Sequence, residues 1–299
     1  MATASWNAPM RLLNQTDWEQ WAERTSNAIA SLLTKTSDTG QIAKPITAAR
    51  PTGTNQYAGY EIFRFNDAYQ ATYPIYLKVQ YGFGGENGRP TLSIQTGTGS
   101  DGAGNITGSK LGPDTHMASA MGSDARVMEH AAGAGADGYF WICFGVADSS
   151  NGSCQFWYHC ERMRNPDGTP TKGMYVGRLQ QSSGSAVTMY FSVIPDQLAV
   201  QHVNNEFPVM YPATSGDYVS VAGEVPLFPI EPFYGRRQPP CLGMVGVRDI
   251  DVGAGVVIQT TLLGATRYFR KITSPNGITS AGSMGKGGYN SKCWAGRWE

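Results

Sequence analysis

Beyond residue 57 the apolar side chains of this chain recur at every second position. A chain patterned in this way can bury its apolar half only as β-strands stacked into sheets. Tyr60, Ile62 and Arg64 alternate with Glu61, Phe63 and Phe65, and the runs Ile75–Tyr81 and Thr91–Gln95 read as strands, with Gly82, Gly84, Gly85 and Asn87-Gly88 supplying the turn between the last two. A meander is expected from 138 to 194. Its turns fall at Asn151-Gly152, Asn165-Pro166-Asp167-Gly168 and Ser182-Ser183-Gly184. Within it, Tyr139 to Phe144 is a continuous apolar run, the mark of a strand covered on both faces. Near the end, Val256 to Leu263 and Thr266 to Ile272 flank Gly264-Ala265, where a leading glycine suggests a type II′ hairpin. The expected fold is mainly β, an antiparallel sandwich or barrel-like body with one N-terminal α-helix.

That helix is the single departure from the two-residue period. Thr16 followed by Glu19 has capping-box spacing. Trp18, Trp21, Ala22, Thr25, Ala28, Ile29, Leu32 and Leu33 then follow one helical face as far as about Lys35. The expected organisation is a helix and docking segment over 1–37, a Pro- and Gly-containing linker over 38–56, and a β body over 57–281. The body divides into two β subdomains if a boundary falls near 195–240. A Gly-rich tail over 282–299 carries Trp294 and Trp298. The helix face either packs on the chain's own body or docks on a partner. Tryptophan is among the commonest interface anchors, so Trp18, Trp21, Ile29, Leu32, Trp294 and Trp298 are the candidate protein-interface residues.

Composition narrows the function classes. The chain has 299 residues, of which 41% are hydrophobic and 15% charged, against about a quarter charged in ordinary soluble proteins. It is a folded chain with little charge to spend on its surface. Its 23 basic residues balance its 23 acidic ones, which argues against nucleic acid as the main partner, because that binding draws on an excess of Lys and Arg. Five cysteines, Cys143, Cys154, Cys160, Cys241 and Cys293, are odd in number and scattered, so free thiols are expected rather than a disulfide framework. The N-terminal residues lack a signal peptide's apolar stretch, and no apolar run nears the roughly 20 residues that span a bilayer.

Chemical motifs are sparse, and no catalytic residue, cofactor or metal is expected. Gly285-Lys286 lacks the glycine and hydroxyl spacing of a phosphate loop. Ser100 and Ser283 each lack the first glycine of a nucleophile elbow. The loop Gly99 to Asn105 spaces oxygen side chains around Asp101, yet it lacks the glycine and glutamate that an EF-hand loop requires. Of His116, His130, His159 and His202, only His159 neighbours a cysteine, Cys160, and on a strand those two point to opposite faces. Glu61, Asp67, Asp101, Glu129, Asp148 and Glu161 are available carboxylates. Their pairing for glycoside hydrolysis cannot be read from spacing in a β protein.

Residues 61–106 are more specific. An aromatic-rich strand ends in Asn66-Asp67, Pro74 opens a strand that runs to Gly82, Pro90 opens another to Gln95, and a loop runs from Gly97 to Gly104 with the sequence GTGSDGAG. This succession resembles a segment of structural proteins of tailed-bacteriophage virions, and the regions Pro226–Gly235 and Gly264–Tyr268 share its flavour. The resemblance implies a non-enzymatic virion component, of the tail or head–tail region, assembled in the host bacterial cytoplasm. Its partners would be other virion proteins and copies of itself as a homo-oligomer. The alternative is a receptor- or carbohydrate-binding protein on the particle exterior, a tail fibre, spike or capsid decoration that meets a host surface glycan.

Overall fold

The computed structural model describes residues 2–53, 56–83, 88–117, 127–145, 153–154, 156–181, 187–194, 198–201, 227–229, 233–234, 236–237, 241–248, 255–262, 264–272, 274–275 and 292–299. The N-terminal part holds β1 (Ala2–Pro9), α1 (Gln15–Leu32), β2 (Thr34–Lys35), β3 (Gln56–Arg64), β4 (Tyr76–Phe83), β5 (Pro90–Ser100) and β6 (Ile106–Met117). The meander follows as β7 (Val127–Gly135), β8 (Tyr139–Phe144), β9 (Ser153–Cys154), β10 (Phe156–Arg164), β11 (Pro170–Gln181), β12 (Val187–Ile194) and β13 (Leu198–Gln201). Short strands β14 (Leu227–Pro229), β15 (Phe233–Tyr234) and β16 (Arg236–Arg237) precede β17 (Met244–Arg248), β18 (Val257–Leu262), β19 (Ala265–Ile272), β20 (Ser274–Pro275) and β21 (Lys292–Arg297).

Among the described residues the chain is mainly β, with a single helix near its N-terminus. Three antiparallel sheets organise it, in the orders β2-β3-β4-β5-β6, β1-β7-β8-β10-β11-β12-β13 and β14-β17-β21-β19-β18. The seven-stranded sheet lies between the other two layers. On β8, Phe140, Ile142 and Phe144 enter a core shared with the helix and with Phe63, Leu77, Val79, Tyr81, Leu92 and Ile94 of the N-terminal sheet. The intervening side chains, Tyr139 and Trp141, point to the C-terminal sheet. There the Trp141 indole donates to the carbonyl of Arg297 at 3.2 Å, and the Tyr139 ring lies close over Gly243. The unbroken apolar run of 139–144 is thus satisfied on both faces.

Helix α1 seals the main core. Trp18, Trp21, Ile29 and Leu32 are at most 1% exposed. Trp21 packs edge-on to Phe144 at 5.8 Å and to Tyr81 at 6.3 Å, so it touches two sheets at once. Four of the six residues expected at a partner interface are therefore core residues of their own subunit, because an amphipathic helix beside an uncovered sheet buries its stripe there first. The helix cap also differs from expectation. Asn14, not Thr16, is the N-cap and accepts from the Asp17 backbone N–H at 2.9 Å. The helix stops at Leu32 rather than Lys35, because Thr34 and Lys35 pair with Arg64 and Phe63 on β3.

Two expected boundaries dissolve. Residues 38–53 of the anticipated linker are pinned along the helix and the N-terminal sheet. Trp18 donates to the Ala48 carbonyl at 2.8 Å, Glu23 accepts from the Ile46 N–H at 2.8 Å, and Tyr60 donates to the Thr39 carbonyl at 2.7 Å. The anticipated tail ends in β21, which sits in the middle of its sheet between β17 and β19. The segment before α1 is itself a strand, β1, paired along its length with β7. Between β18 and β19, Leu262 pairs with Ala265, so Gly264 takes second place in the turn with a φ of 76°. A type II′ turn would have needed it first. The Asn165 to Gly168 turn is present, with Gly168 at a φ of 86°. Asn151-Gly152 and Ser182-Ser183-Gly184 lie outside the described residues, as does the region expected to divide the body.

The packing yields a direct expectation. Trp21→Ala removes a wholly buried ring from the point where helix and two sheets meet and should cost about 3–5 kcal/mol. Chemical denaturation measures it. A loss within about 0.5 kcal/mol, the range of a surface residue, would contradict the burial of this face.

Candidate functional site

Among the described residues, the one buried group of metal-ligating side chains grows out of β10. Alternation sends Phe156, Tyr158 and Cys160 into the main core and turns His159 and Glu161 toward the C-terminal sheet. There the segment 241–243, which leads into β17, delivers the Cys241 side chain and two backbone N–H groups. Leu242 N–H donates to Glu161 Oε1 at 2.6 Å and Gly243 N–H to Oε2 at 2.9 Å. Arg164 reaches Oε1 at 3.2 Å, and His159 Nε2 lies 3.1 Å from Oε2. The ligand atoms of His159, Glu161 and Cys241 all fall within 4.8 Å of one another, and the three residues are buried.

Burial by itself raises the Glu161 carboxyl, but the His159 hydrogen bond and charge, Arg164 and the Leu242 N–H outweigh it and hold the carboxyl below its usual range. Cys241 goes the other way: burial first, then the neighbouring Glu161 charge, push its thiol well above the usual cysteine range. The sulfur is thus protonated and shielded, the opposite of an activated nucleophile. Glu161 acts as a bolt that ties β10 of the middle sheet to the entry of the C-terminal one.

The other expected carboxylates are engaged separately. Glu61 is wholly buried and takes Ser26 at 2.5 Å, Tyr81 at 2.7 Å and Lys35 at 2.6 Å. Burial raises it, yet the bonds from Lys35, Ser26 and Tyr81 lower it further. Asp67 forms a two-pronged pair with Arg162 of β10, at 2.9 and 3.0 Å. Glu129 pairs with Arg270 at 2.7 Å across the middle and C-terminal sheets. Asp101, exposed in the loop with the faint look of a calcium loop, accepts from the N–H groups of Ala103 and Asn105 at 2.8 and 2.9 Å and from the Asn105 side chain at 2.8 Å. Asp148 lies outside the described residues.

Residues 61–106 are tied into the fold by the same kind of contact. Their Asn-Asp end supplies Asp67 to Arg162, and their glycine-rich loop is braced from below by Asp38, which accepts from Ser100 and from the Gly104 N–H. Lys78 sits over the Tyr60 ring at 4.3 Å and donates to the Gly104 carbonyl at 2.7 Å, where a side chain at 104 would strike Tyr60.

Of the remaining candidates, His130 is buried between Trp6 and Phe144, at 5.4 and 4.6 Å, and burial pushes it down to about 4. The side chains of His116, His202, Cys154 and Cys293 lie outside the described part, whereas Cys143, Cys160 and Cys241 are free and buried. Trp298 is half-buried, 6.3 Å from Trp141 and covered by Arg270 at 4.7 Å. The Trp294 side chain is outside the described part, although its backbone pairs with Gly246 and Ile272. Among the described residues no helix is long and apolar enough to cross a membrane.

Sequence reasoning passed over one surface feature. Strand β18, reading VIQTTL, lies at the edge of the C-terminal sheet with β19 as its partner. Val256 and Val257 are 47% and 46% exposed, and Tyr268 beside them is 39% exposed. The signal was legible as a strand without charge or proline, the usual guards of an open edge. No protein-family model matches the chain, and no curated protein or solved structure matches it.

The titrating groups set an acid profile. The unfolded chain protonates a histidine near 6.5, while His130 in the fold resists protonation until about 4. Stability contributed by neutral His130 is full above about 6.5 and falls by up to about 1.4 kcal/mol per pH unit down to about 4. Glu161, lowered in the fold, contributes above the ordinary carboxylate range and loses its contribution as pH falls through its depressed value. Urea midpoints measured from pH 7 to 4 should decline, and His130→Phe should flatten that decline. An equal slope in wild type and variant would contradict the assignment. Glu161→Ala, which strands Arg164 and two N–H groups, should cost about 3–5 kcal/mol at neutral pH by the same measurement.

Proposed function

We propose that the chain is a non-enzymatic structural component of a tailed-bacteriophage virion, of the tail or head–tail region, that works by assembling with copies of itself and with other virion proteins. The observation that carries the assembly reading is β18. An open edge offers a row of backbone donors and acceptors, and soluble proteins blunt such edges with lysine, proline or a covering element. Here the edge is uncharged and flanked by exposed Val256, Val257 and Tyr268. A second copy laid antiparallel against β18 would pair the same surface on both subunits, as two-fold symmetry requires. Repetition of one modest contact around a symmetric particle multiplies its strength.

Two further features support the reading. The ion clusters at Glu61, Asp67, Glu129 and Glu161 join sheets and helix to one another, which suits a rigid building block. The resemblance over residues 61–106 supplies the tailed-phage setting.

The test is Val257→Lys, a charge placed on the exposed edge. A surface change of this kind leaves stability within about 0.5 kcal/mol, so the melting temperature should hold while incorporation into particles fails. Incorporation at the wild-type level would overturn the use of this edge. Release of reducing ends from host surface polysaccharide by the purified protein would overturn the non-enzymatic reading, and binding without release would favour a receptor-binding role instead.

A further inference from the structure

We infer that His159, Glu161 and Cys241 form a site for one thiophilic divalent cation of the zinc class, which bridges the middle and C-terminal sheets. Imidazole, carboxylate and thiol are the side chains that hold such ions, and all three groups here lie within 4.8 Å of one another. They are 0%, 1% and 3% exposed, so they are not surface groups that meet by chance. The 3.1 Å between His159 Nε2 and Glu161 Oε2 is near the separation of two ligands on one tetrahedral ion, about 3.3 Å for bonds of about 2.0–2.1 Å.

The histidine supplies a second, independent observation. Its Nδ1 is buried and has no hydrogen-bond partner. A neutral ring that carries its proton on Nδ1 turns its Nε2 lone pair to a carboxylate oxygen, and a cation between the two satisfies both. The surroundings also fit, since Leu242 N–H, Gly243 N–H and Arg164 orient the carboxylate as outer partners orient a metal ligand.

On binding, the Cys241 thiol releases its proton to solvent as the sulfur–metal bond forms. Thiolate and carboxylate together then offset the ion's two positive charges, and the Arg164 charge remains beside the carboxylate. Thiolate with imidazole selects zinc-like ions over magnesium or calcium. Held by three protein ligands, the ion would cross-link β10 to the strand entry at 241–243 and leave its fourth position to a water. The site stands independently of the assembly reading.

The experiment is titration of reduced, metal-stripped full-length protein with cobalt(II) alone. One equivalent should bind, with a thiolate-to-cobalt charge-transfer band, and zinc should displace it. Cys241→Ser should abolish the band and weaken cobalt binding at least about tenfold. Where that variant lacks the native circular dichroism spectrum, His159→Gln is read by its cobalt affinity, which should fall at least about tenfold, and by a weaker band at one equivalent of cobalt. Absence of a thiolate band in the wild type, or a band of undiminished intensity in the folded variant, would overturn the site.

Discussion

A sheet covered on both faces must find partners for the charged groups that its sequence places there, and β8 and β10 live under that constraint. On one side their side chains meet the helix and the N-terminal sheet; on the other they meet the C-terminal sheet. Burying a lone carboxylate costs several kcal/mol unless donors replace the lost water. Glu161 meets that demand by drawing the backbone of Leu242 and Gly243 onto itself, and so fixes where the third layer begins. Asp67 with Arg162 repeats the device on the opposite face. The layers are held in register by a few buried charges whose partners lie on different elements, and the apolar core fills the space those charges define.

Close approach of the layers needs small residues at the crossing points. A side chain at Gly296 would enter the Trp141 ring, and one at Gly243 would enter the Tyr139 ring. Two of the abundant glycines thus serve tight layer packing and not loop flexibility. The C-terminal strand can thread between β17 and β19 beneath an aromatic layer because Gly296 leaves room for Trp141.

The β class, the single helix and the doubly covered strand at 139–144 were legible because each rests on local periodicity. The helix face was also visible, but its destination was not: Trp18 and Trp21 look the same whether they cover their own sheets or another subunit. What escaped was long-range. Cys241 lies 80 or more residues from His159 and Glu161, and no spacing rule connects them. The first strand β1 and the terminal strand β21 were hidden because neither carries a strong alternation. Both owe their conformation to pairing with distant partners, β7 for one and β17 and β19 for the other. The unguarded β18 could have been noticed as an uncharged strand, although only the sheet order shows that it is an edge.

The proposed assembly role joins these features: layers bolted by internal charges, described cysteines turned inward, and, among the described residues, an uncharged strand at a sheet edge, β18. The most direct measurement of the proposed virion role is the protein composition of tailed-phage particles purified from cells that make the chain, by quantitative mass spectrometry of intact particles and of separated heads and tails. The account predicts the protein in the particle, in a fixed multiple-copy ratio to a known structural protein, and concentrated in the tail or head–tail fraction. Its absence from particles, in cells that make it abundantly, would contradict the account.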